Sequence, residues 1–219
     1  MSRRTRYREL QGSVPGLEGL YQNLATKIAL PEYADSRVLI VGGGGGREIE
    51  LFAKLGATIP LTVIDPSADN LADAETVARE TAYRGEIHFV EGTVDCLPET
   101  ARFGTAMIIF VLHAIYQDEE EQRLLSSLRS RLADNGRLLL ADICFDSSST
   151  IEEMVAAYKE HARLKNTARD LVDLEIRSVM ECRDRTELSL YKKLNAARFH
   201  NASLFDRALW YAAFTIEPA

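Results

Sequence analysis

A run of glycines between an apolar segment and a helix-compatible segment is the part of this sequence best suited to bind a ligand. The apolar residues Val38–Val41 lead directly into five consecutive glycines, Gly42–Gly46. Such a turn from strand to helix brings bare backbone N–H groups close to a ligand. A dinucleotide fingerprint, Gly-x-Gly-x-x-Gly, would end on Arg47 or Glu48 in either register, so the spacing Gly-x-Gly-x-Gly fits instead.

An acid follows the glycine run about one strand–helix unit later. Leu61–Asp65 is a second apolar segment that ends on a carboxylate, which would accept hydrogen bonds from both hydroxyls of a ribose. The alternative is a helix N-cap, because the Asp-Pro-Ser sequence ending at Ser67 also marks a helix start. The glycine spacing and Asp65 together predict an adenosine-binding site without a pyrophosphate, which indicates S-adenosylmethionine.

The loop expected after the third strand is a candidate adenine site. It spans Phe89–Pro98, and Val94 would pack on the face of the ring while a backbone N–H meets a ring nitrogen. Many sites of this kind have a carboxylate at the position of Thr93, where this sequence has a hydroxyl. An ordinary loop at a strand end is the alternative.

The segment Phe110–Tyr116 leaves the fourth predicted strand where a methyl acceptor would lie. His113 is a candidate general base, because imidazole titrates near neutral pH. A neutral histidine that packs beside the cofactor is the alternative. Tyr116, at the end of the segment, is a second catalytic candidate.

Composition restricts the class of protein further. The 219 residues carry a formal net charge of −7, which argues against a nucleic-acid partner, because that would need a basic face. No apolar run approaches a membrane span or a signal peptide. Cys96, Cys144 and Cys182 are odd in number and widely spaced, so we expect free thiols in the cytoplasm and no metal site.

The basic cluster Arg3–Arg8 contains four arginines and Tyr7. We expect a solvated tail, since termini are usually poorly ordered. The alternative is an arm that covers the active site.

Strand-like and helix-like segments alternate from Arg37 onward, which predicts βαβ units and a largely parallel sheet. The predicted strands are Arg37–Val41, Leu61–Asp65, Glu86–Glu91, Thr105–Phe110 and Arg137–Asp142. The predicted helices between them include residues 67–83 and Asp118–Leu132, the latter ended by Asp134–Gly136.

The pattern changes after Asp142. Ser147–Thr150, followed by Glu152 and Glu153, predicts a capping box that opens about 45 residues of mostly helical sequence. Phe199–Phe205 and Leu209–Thr215 then predict an antiparallel hairpin joined around Asp206-Arg207. An insertion before such a hairpin would lie above the carboxyl ends of the parallel strands, as a lid or a dimer surface.

We therefore expect a single α/β domain: a doubly wound, mostly parallel, seven-stranded Rossmann-like sheet with an antiparallel closing hairpin. Its parts are an N-terminal helical cap (1–35), a cofactor-binding core (36–145), a helical lid (147–197) and the hairpin (198–217).

Several of these motifs resemble class I S-adenosylmethionine-dependent methyltransferases over residues 36–145. They are Val38–Gly46, Leu61–Ser67, Phe89–Pro98, Leu112-His113 and Asn135–Leu139. The flanks are similar to a narrower group, carboxy-S-adenosylmethionine synthase and its methyltransferase relatives. That second resemblance rests on Ser13–Gly16, Tyr158–Asn166, Glu175–Ser178 and Lys193–Phe199.

The resemblance implies a set of cofactor-binding residues. Glycines of the loop would contact the methionine half, Asp65 and Pro66 the ribose, and the pair Thr93 and Val94 the adenine, while Ile109 would line the pocket. The loop glycines concerned are Gly42, Gly43 and Gly44, and the Gly-x-Gly-x-Gly spacing adds Gly46 as a cofactor-binding residue.

Two flanking positions also correspond to functional residues of the synthase. Leu17 falls where the synthase has a tyrosine on the cofactor. Arg177 matches an arginine that grips the carboxylate of the modified cofactor from the neighbouring subunit, although it would also suit surface ion pairs with nearby acids. Ile40, Thr93 and Arg198 depart from the pattern, which argues against the synthase activity itself.

These observations predict a cytoplasmic, homodimeric enzyme that transfers the methyl group of S-adenosylmethionine to a small molecule. No strong base is obvious, so an amine, thiol or enolate-like acceptor bound in its reactive form is expected. One alternative is an enzyme that modifies S-adenosylmethionine itself, by carboxylation or by intramolecular attack that releases methylthioadenosine. Another is a cofactor-binding relative without turnover.

Overall fold

The alternation of strands and helices after residue 36 builds one sheet. The computed structural model describes residues 3–28, 36–146 and 150–218. Within these ranges the strands are β1 (Val38–Val41), β2 (Leu61–Asp65), β3 (Ile87–Glu91), β4 (Phe103–Ile109), β5 (Leu132–Ile143), β6 (Phe199–Ala208) and β7 (Tyr211–Pro218). Their order across the sheet is β3-β2-β1-β4-β5-β7-β6.

The first five strands pair in parallel, and β7 runs antiparallel to both β5 and β6. The predicted fold, a doubly wound sheet closed by an antiparallel hairpin, is confirmed. Strand order reverses between β1 and β4. The crevice at the carboxyl ends of these two strands is where open α/β sheets bind ligands.

Helices cover both faces of the sheet. In the described ranges they are α1 (Arg3–Ser13), α2 (Leu17–Ile28), α3 (Arg47–Lys54), α4 (Ala68–Glu80), α5 (Asp118–Arg131), α6 (Ile151–Leu164), α7 (Arg169–Glu181) and α8 (Glu187–Ala196). Successive strand residues point to opposite faces. Leu138 and Leu140 therefore pack in one core cluster with Leu125 of α5, while Leu139 packs in the other with Phe52 of α3.

The N-terminal arginines lie on α1 and are not the solvated tail that we expected. Arg4 Nη1 lies 3.0 Å from Glu80 Oε2 of α4, and Arg8 pairs with Glu50 of α3. These partners lie far away in the sequence, so composition alone could not identify them. They bring α1 across the helices that follow β1 and β2.

The polar triplet Asp134–Gly136 does not separate α5 from β5 as predicted. Helix α5 ends at Arg131, and β5 begins at Leu132, which pairs with Phe103. The register between β4 and β5 shifts between Phe103 and Thr105. The triplet is therefore accommodated as an irregularity within the strand.

The predicted turn of the closing hairpin is also wrong. Asp206 and Arg207 pair within the β6–β7 ladder, and the chain reverses at Leu209 and Trp210, where Leu209 has φ 57°. Trp210 is fully buried and donates its indole N–H to Glu175 of α7 at 2.9 Å. Tertiary packing therefore fixes this turn, although its residues are apolar.

The insertion after β5 contains α6, α7 and α8, in agreement with its predicted helical character. Thr150 is the N-cap of α6, but its side chain makes no capping hydrogen bond, so the predicted capping box does not form there. Ser147–Ser149 lie outside the described residues. Within the described ranges, no helix is long and apolar enough to cross a membrane, and no cluster of metal-ligating side chains is found.

Candidate active site

A cavity of about 360 Å³ lies at the carboxyl ends of β1, β2 and β4, and we call it the first cavity. The glycine loop, the end of β2, the segment after β4 and the helix α1 contribute to its wall. Its lining residues include Arg4, Tyr7, Arg8, Gly42, Gly44, Gly45, Arg47, Asp65, Pro66, Asn70, Ile109 and Phe110. The fold therefore assembles the predicted glycine loop and Asp65 around one space.

The glycine loop is compact because α3 begins against α4. Gly46 is the N-cap of α3 and has φ 71°, a left-handed conformation that favours glycine. A Cβ at this position would lie 2.9 Å from Val77 Cβ and 3.0 Å from Ala74 Cα. Glycine thus lets the start of α3 pack closely against α4. The first turn of α3, whose backbone N–H groups have no partner within the helix, then lies beside the cavity.

Asp65 is buried at the end of β2 and lines the first cavity. Its Oδ1 accepts hydrogen bonds from Ser67 N at 2.9 Å and from Asn70 Nδ2 at 3.1 Å. The N-cap of α4 is Ser67, whose hydroxyl accepts from Asn70 N at 3.3 Å. The capping function thus belongs to Ser67, and Asp65 is a carboxylate held in place beside the cavity.

The ten predicted cofactor-binding residues fall into three groups. Five line the first cavity: Gly42, Gly44, Asp65, Pro66 and Ile109. Gly43 and Gly46 belong to the same loop without lining the space.

The other three predicted cofactor contacts lie elsewhere. Thr93 is the N-cap of a short 3-10 helix, Val94–Cys96, and Val94 is buried in the core cluster that includes α5. Leu17, on α2, lines a second cavity.

This second cavity, of about 310 Å³, shares Tyr7 and Phe110 with the first. It lies between α1, the segment after β4, α7 and the start of β7. Its lining residues are Tyr7, Leu10, Gln11, Val14, Leu17, Phe110, His113, Leu174, Glu175, Ser178 and Tyr211. A largely apolar space with a few polar groups is typical of a small-molecule site.

Phe110 lines both cavities. It has φ 57°, a conformation that costs a bulky residue about 1–3 kcal/mol and is concentrated at functional sites. Its ring lies 5.2 Å from that of Tyr21 and 4.4 Å from that of Tyr211, measured between centroids. Packing against these two tyrosine rings therefore holds the Phe110 ring in place where it lines both cavities.

Partly buried His113 pairs with buried Asp142 beside the second cavity. His113 Nδ1 lies 2.9 Å from Asp142 Oδ1, and Asp142 also accepts from Leu112 N at 2.7 Å and Ile143 N at 2.8 Å. A carboxylate on Nδ1 holds the proton there and leaves Nε2 as the acceptor. Among the described residues, no hydrogen-bond partner of Nε2 is found.

The charges around His113 favour its protonated form. Burial lowers its pKa, but the Asp142 carboxylate raises it more, and Glu175 adds to the increase while Arg185 opposes it. The resulting pKa lies above the usual value of 6.5. Burial raises the pKa of Asp142, but His113 and Arg185 lower it further, so this carboxyl is ionised.

Glu175 is the acid of the second cavity and is 3 % exposed. Its Oε1 accepts from Trp210 Nε1 and from Tyr211 Oη, both at 2.9 Å. Burial raises the pKa of this carboxyl, and the two hydrogen bonds together with nearby His113 lower it in part.

The two other predicted catalytic residues lie outside both cavities. Tyr116 is 86 % exposed, because the chain turns towards solvent there before α5 begins at Asp118. Arg177 is exposed on α7, since it lies on the side of the helix away from buried Glu175 and Val179. Among the described residues of the insertion, those of α7 line the second cavity and none line the first, which α1 covers.

Sequence reasoning missed Asp142, Phe110 and Glu175 as site residues. Asp142 had a detectable signal, since it ends a buried strand as Asp65 does, but its partner becomes visible only when β4 and β5 are neighbours. No sequence pattern marks Phe110 or Glu175.

Comparison with known proteins identifies the core. The methyltransferase domain family matches residues 38–136. These residues, which extend from β1 into β5, are similar to a methyltransferase domain. A relative, the mitochondrial ubiquinone biosynthesis O-methyltransferase of Schizosaccharomyces pombe, is 26% identical over 111 residues, which cover 51% of this chain and 39% of the relative.

Solved methyltransferase structures share the fold. Magnesium protoporphyrin IX methyltransferase from Synechocystis PCC 6803, with S-adenosylhomocysteine bound, superposes with TM-score 0.64 at 17% identity, covering 98% of this chain and 94% of that one. The 1,6-didemethyltoxoflavin-N1-methyltransferase of Burkholderia thailandensis gives 0.59 at 19% identity, covering 91% and 78%. The chain spans little more than half of several other similar structures, from 54% to 56%.

Proposed function

We propose that this chain transfers the methyl group of S-adenosylmethionine to a hydroxyl group of a small molecule. The observation that carries the proposal is the contact between the two cavities at Phe110, with the glycine loop and Asp65 on one side and the His113–Asp142 pair on the other. The relatives support methyl transfer, since a ubiquinone O-methyltransferase is among them.

The residues of the first cavity suit S-adenosylmethionine. Asp65 would accept hydrogen bonds from the ribose hydroxyls, and the N-terminal turn of α3 would attract the methionine carboxylate. Arg47 lines the same space and pairs with Glu18, and its Nε, which has no partner among the described residues, would add a hydrogen-bond donor. Binding of the adenine by Thr93 and Val94 stays a proposal, because neither residue lines the cavity.

When bound, S-adenosylmethionine supplies an electrophilic methyl group, whose C–S bond breaks with its electron pair left on sulfur as the acceptor oxygen bonds to the carbon. The protein aligns the two reactants and excludes water. His113 Nε2 takes the proton of the acceptor hydroxyl, and Asp142 stabilises the imidazolium that forms. A base is thus available, whereas the sequence alone indicated an acceptor that needs none.

Product analysis tests this function. The protein is incubated with methyl-labelled S-adenosylmethionine and a panel of phenolic and enolic acceptors, and the products are identified by mass spectrometry. We expect S-adenosylhomocysteine and a labelled methyl ether. Formation of methylthioadenosine or carboxy-S-adenosylmethionine would indicate an enzyme that modifies the cofactor itself, and binding without any product would indicate a relative that has lost turnover.

We extend the proposal to a cytoplasmic homodimer. Free cysteine thiols support a reducing compartment: Cys96, Cys144 and Cys182 form no disulfide. Arg177 is exposed and lines neither cavity of its own subunit, so a contact with the methionine carboxylate would require a second copy of the chain. Sedimentation velocity in the presence of S-adenosylhomocysteine tests the dimer.

A further inference from the structure

Among the described residues that line the second cavity, Glu175 is the one buried acid, His113 is the one basic group, and there is no lysine or arginine. The first cavity differs, since Arg4, Arg8 and Arg47 line it. A carboxylate or phosphate brought into the second cavity would lose its hydration beside the Glu175 carboxyl, and the one basic group there, His113, is already paired with Asp142, so its burial is costly. The charges of the second cavity disfavour an anionic acceptor.

The hydrogen-bonding capacity of Glu175 is only partly used. Both protein donors, Trp210 Nε1 and Tyr211 Oη, bond to Oε1. No donor to Oε2 is found among the described residues, although a carboxylate oxygen accepts more than one hydrogen bond. Because Glu175 lines the second cavity, its carboxyl group can accept a further hydrogen bond from a ligand bound there.

Gln11 provides a second acceptor of the same kind. It lines the second cavity and is 8 % exposed. Its Nε2 donates to Tyr21 Oη at 2.6 Å, whereas its Oε1 is buried with no partner among the described residues. Glu175 and Gln11 thus contribute acceptor groups to a cavity whose other walls are mostly apolar or aromatic.

We propose that Glu175 determines the specificity of the second cavity, by binding a hydrogen-bond donor on a small ring whose other hydroxyl is methylated. This inference rests on the proposed function. The donor is an amino or hydroxyl group, and the ring carries no carboxylate. A substrate of this class satisfies Glu175 Oε2 at one end and presents a hydroxyl to His113 at the other, while Phe110 and Tyr211 contact the ring.

Calorimetry on the protein saturated with S-adenosylhomocysteine tests the proposal without turnover. The probes are phenol, catechol, 2-aminophenol and salicylate. A hydrogen bond to a buried carboxylate is worth about tenfold or more in affinity, so catechol and 2-aminophenol should bind at least roughly tenfold more tightly than phenol. Salicylate should bind no more tightly than phenol.

A local signal shows where the probes bind. Trp210 is the only tryptophan of the chain, so its indole N–H gives a single NMR resonance, and that N–H is bonded to Glu175. Catechol and 2-aminophenol should shift this resonance, and phenol should shift it less.

Two variants identify the residue responsible. Glu175→Gln should abolish the preference for catechol and 2-aminophenol over phenol. Glu181→Gln makes the same change at an exposed position of α7 and should keep the preference. Thermal unfolding shows whether each variant is folded. If Glu175→Gln is unstable, Glu175→Asp replaces it: this variant keeps the charge but moves the carboxylate back by one methylene group, so the preference should become smaller.

Equal affinity for phenol and 2-aminophenol in the wild-type protein would overturn the inference, as would tight binding of salicylate or a preference that survives in Glu175→Gln. The first two outcomes are measured on the wild-type protein, and only the third depends on a folded variant. Failure to bind S-adenosylhomocysteine would instead contradict the proposed function, and the same titrations of the cofactor-free protein would then decide the acceptor preference.

Discussion

The two cavities of this protein are built in different ways. The first draws its ligand-binding groups from two short segments, the glycine loop and the end of β2, which lie within about one βα unit of each other. The second draws its polar groups from α1, the segment after β4, α7 and the closing hairpin. The positions of its residues along the sequence range from Tyr7 to Tyr211.

The two cavities also differ in charge. Arginines line the first, as suits a cofactor with a carboxylate, whereas the second has a buried acid and an imidazole. A methyl donor with a positively charged sulfur and an acceptor that must lose a proton require these different surroundings. We infer that cofactor binding is inherited with the core, while the acceptor is selected by the flanking helices.

Removal of the base should have the largest effect. His113→Gln should lower kcat by about 10²- to 10⁴-fold, the usual contribution of a general base, and leave the affinity for S-adenosylhomocysteine unchanged. Steady-state kinetics and calorimetry measure the two quantities. His88→Gln, on exposed β3, is the matched control. An unchanged kcat would mean that the acceptor binds already deprotonated or as an amine.

Removal of the ribose-binding acid should have the next largest effect. Asp65→Ala should weaken S-adenosylhomocysteine binding by about 1.5–3 kcal/mol, because it removes hydrogen bonds to a charged acceptor. Calorimetry measures the loss, and Asp69→Ala, at an exposed site in the first turn of α4, is the control. If NAD binds in place of S-adenosylhomocysteine, our interpretation of the glycine loop is wrong.

The third effect is on the pH dependence of kcat. Below the pKa of a single ionising base, kcat should rise about tenfold for each pH unit. A base must be neutral, so kcat should rise with pH through the pKa of His113, which lies above 6.5. Asp142→Asn removes the carboxylate that raises this pKa, so the inflection should move to lower pH. A profile without this inflection, measured from the pH dependence of kcat, would contradict His113 as the base.

The smallest expected effect concerns Arg177. A guanidinium binds a carboxylate through two parallel hydrogen bonds that lysine cannot reproduce. If Arg177 acts across a dimer, Arg177→Lys should lower kcat/KM about tenfold, on the order of 1.4 kcal/mol, with little change in the free energy of unfolding. Wild-type kinetics in this variant would reduce Arg177 to a solvated charge.

The sequence by itself determined the core of the fold and the first cavity. The strand Leu61–Asp65 was predicted with its observed bounds, since buried parallel strands are continuous apolar runs whose ends are marked by polar residues or glycine. The glycine loop and Asp65 were also predicted from the sequence, because a glycine-rich turn and an acid at the end of a strand are properties of local sequence.

Only the tertiary structure decided the second cavity. His113 was ambiguous until the pairing of β4 with β5 brought Asp142 to its Nδ1. Glu175 resembles a surface acid in the sequence, and it became a buried acceptor only when the hairpin turn carried Trp210 and Tyr211 under α7. Contacts between residues far apart in the chain leave no periodicity or spacing to detect, so packing alone determines them.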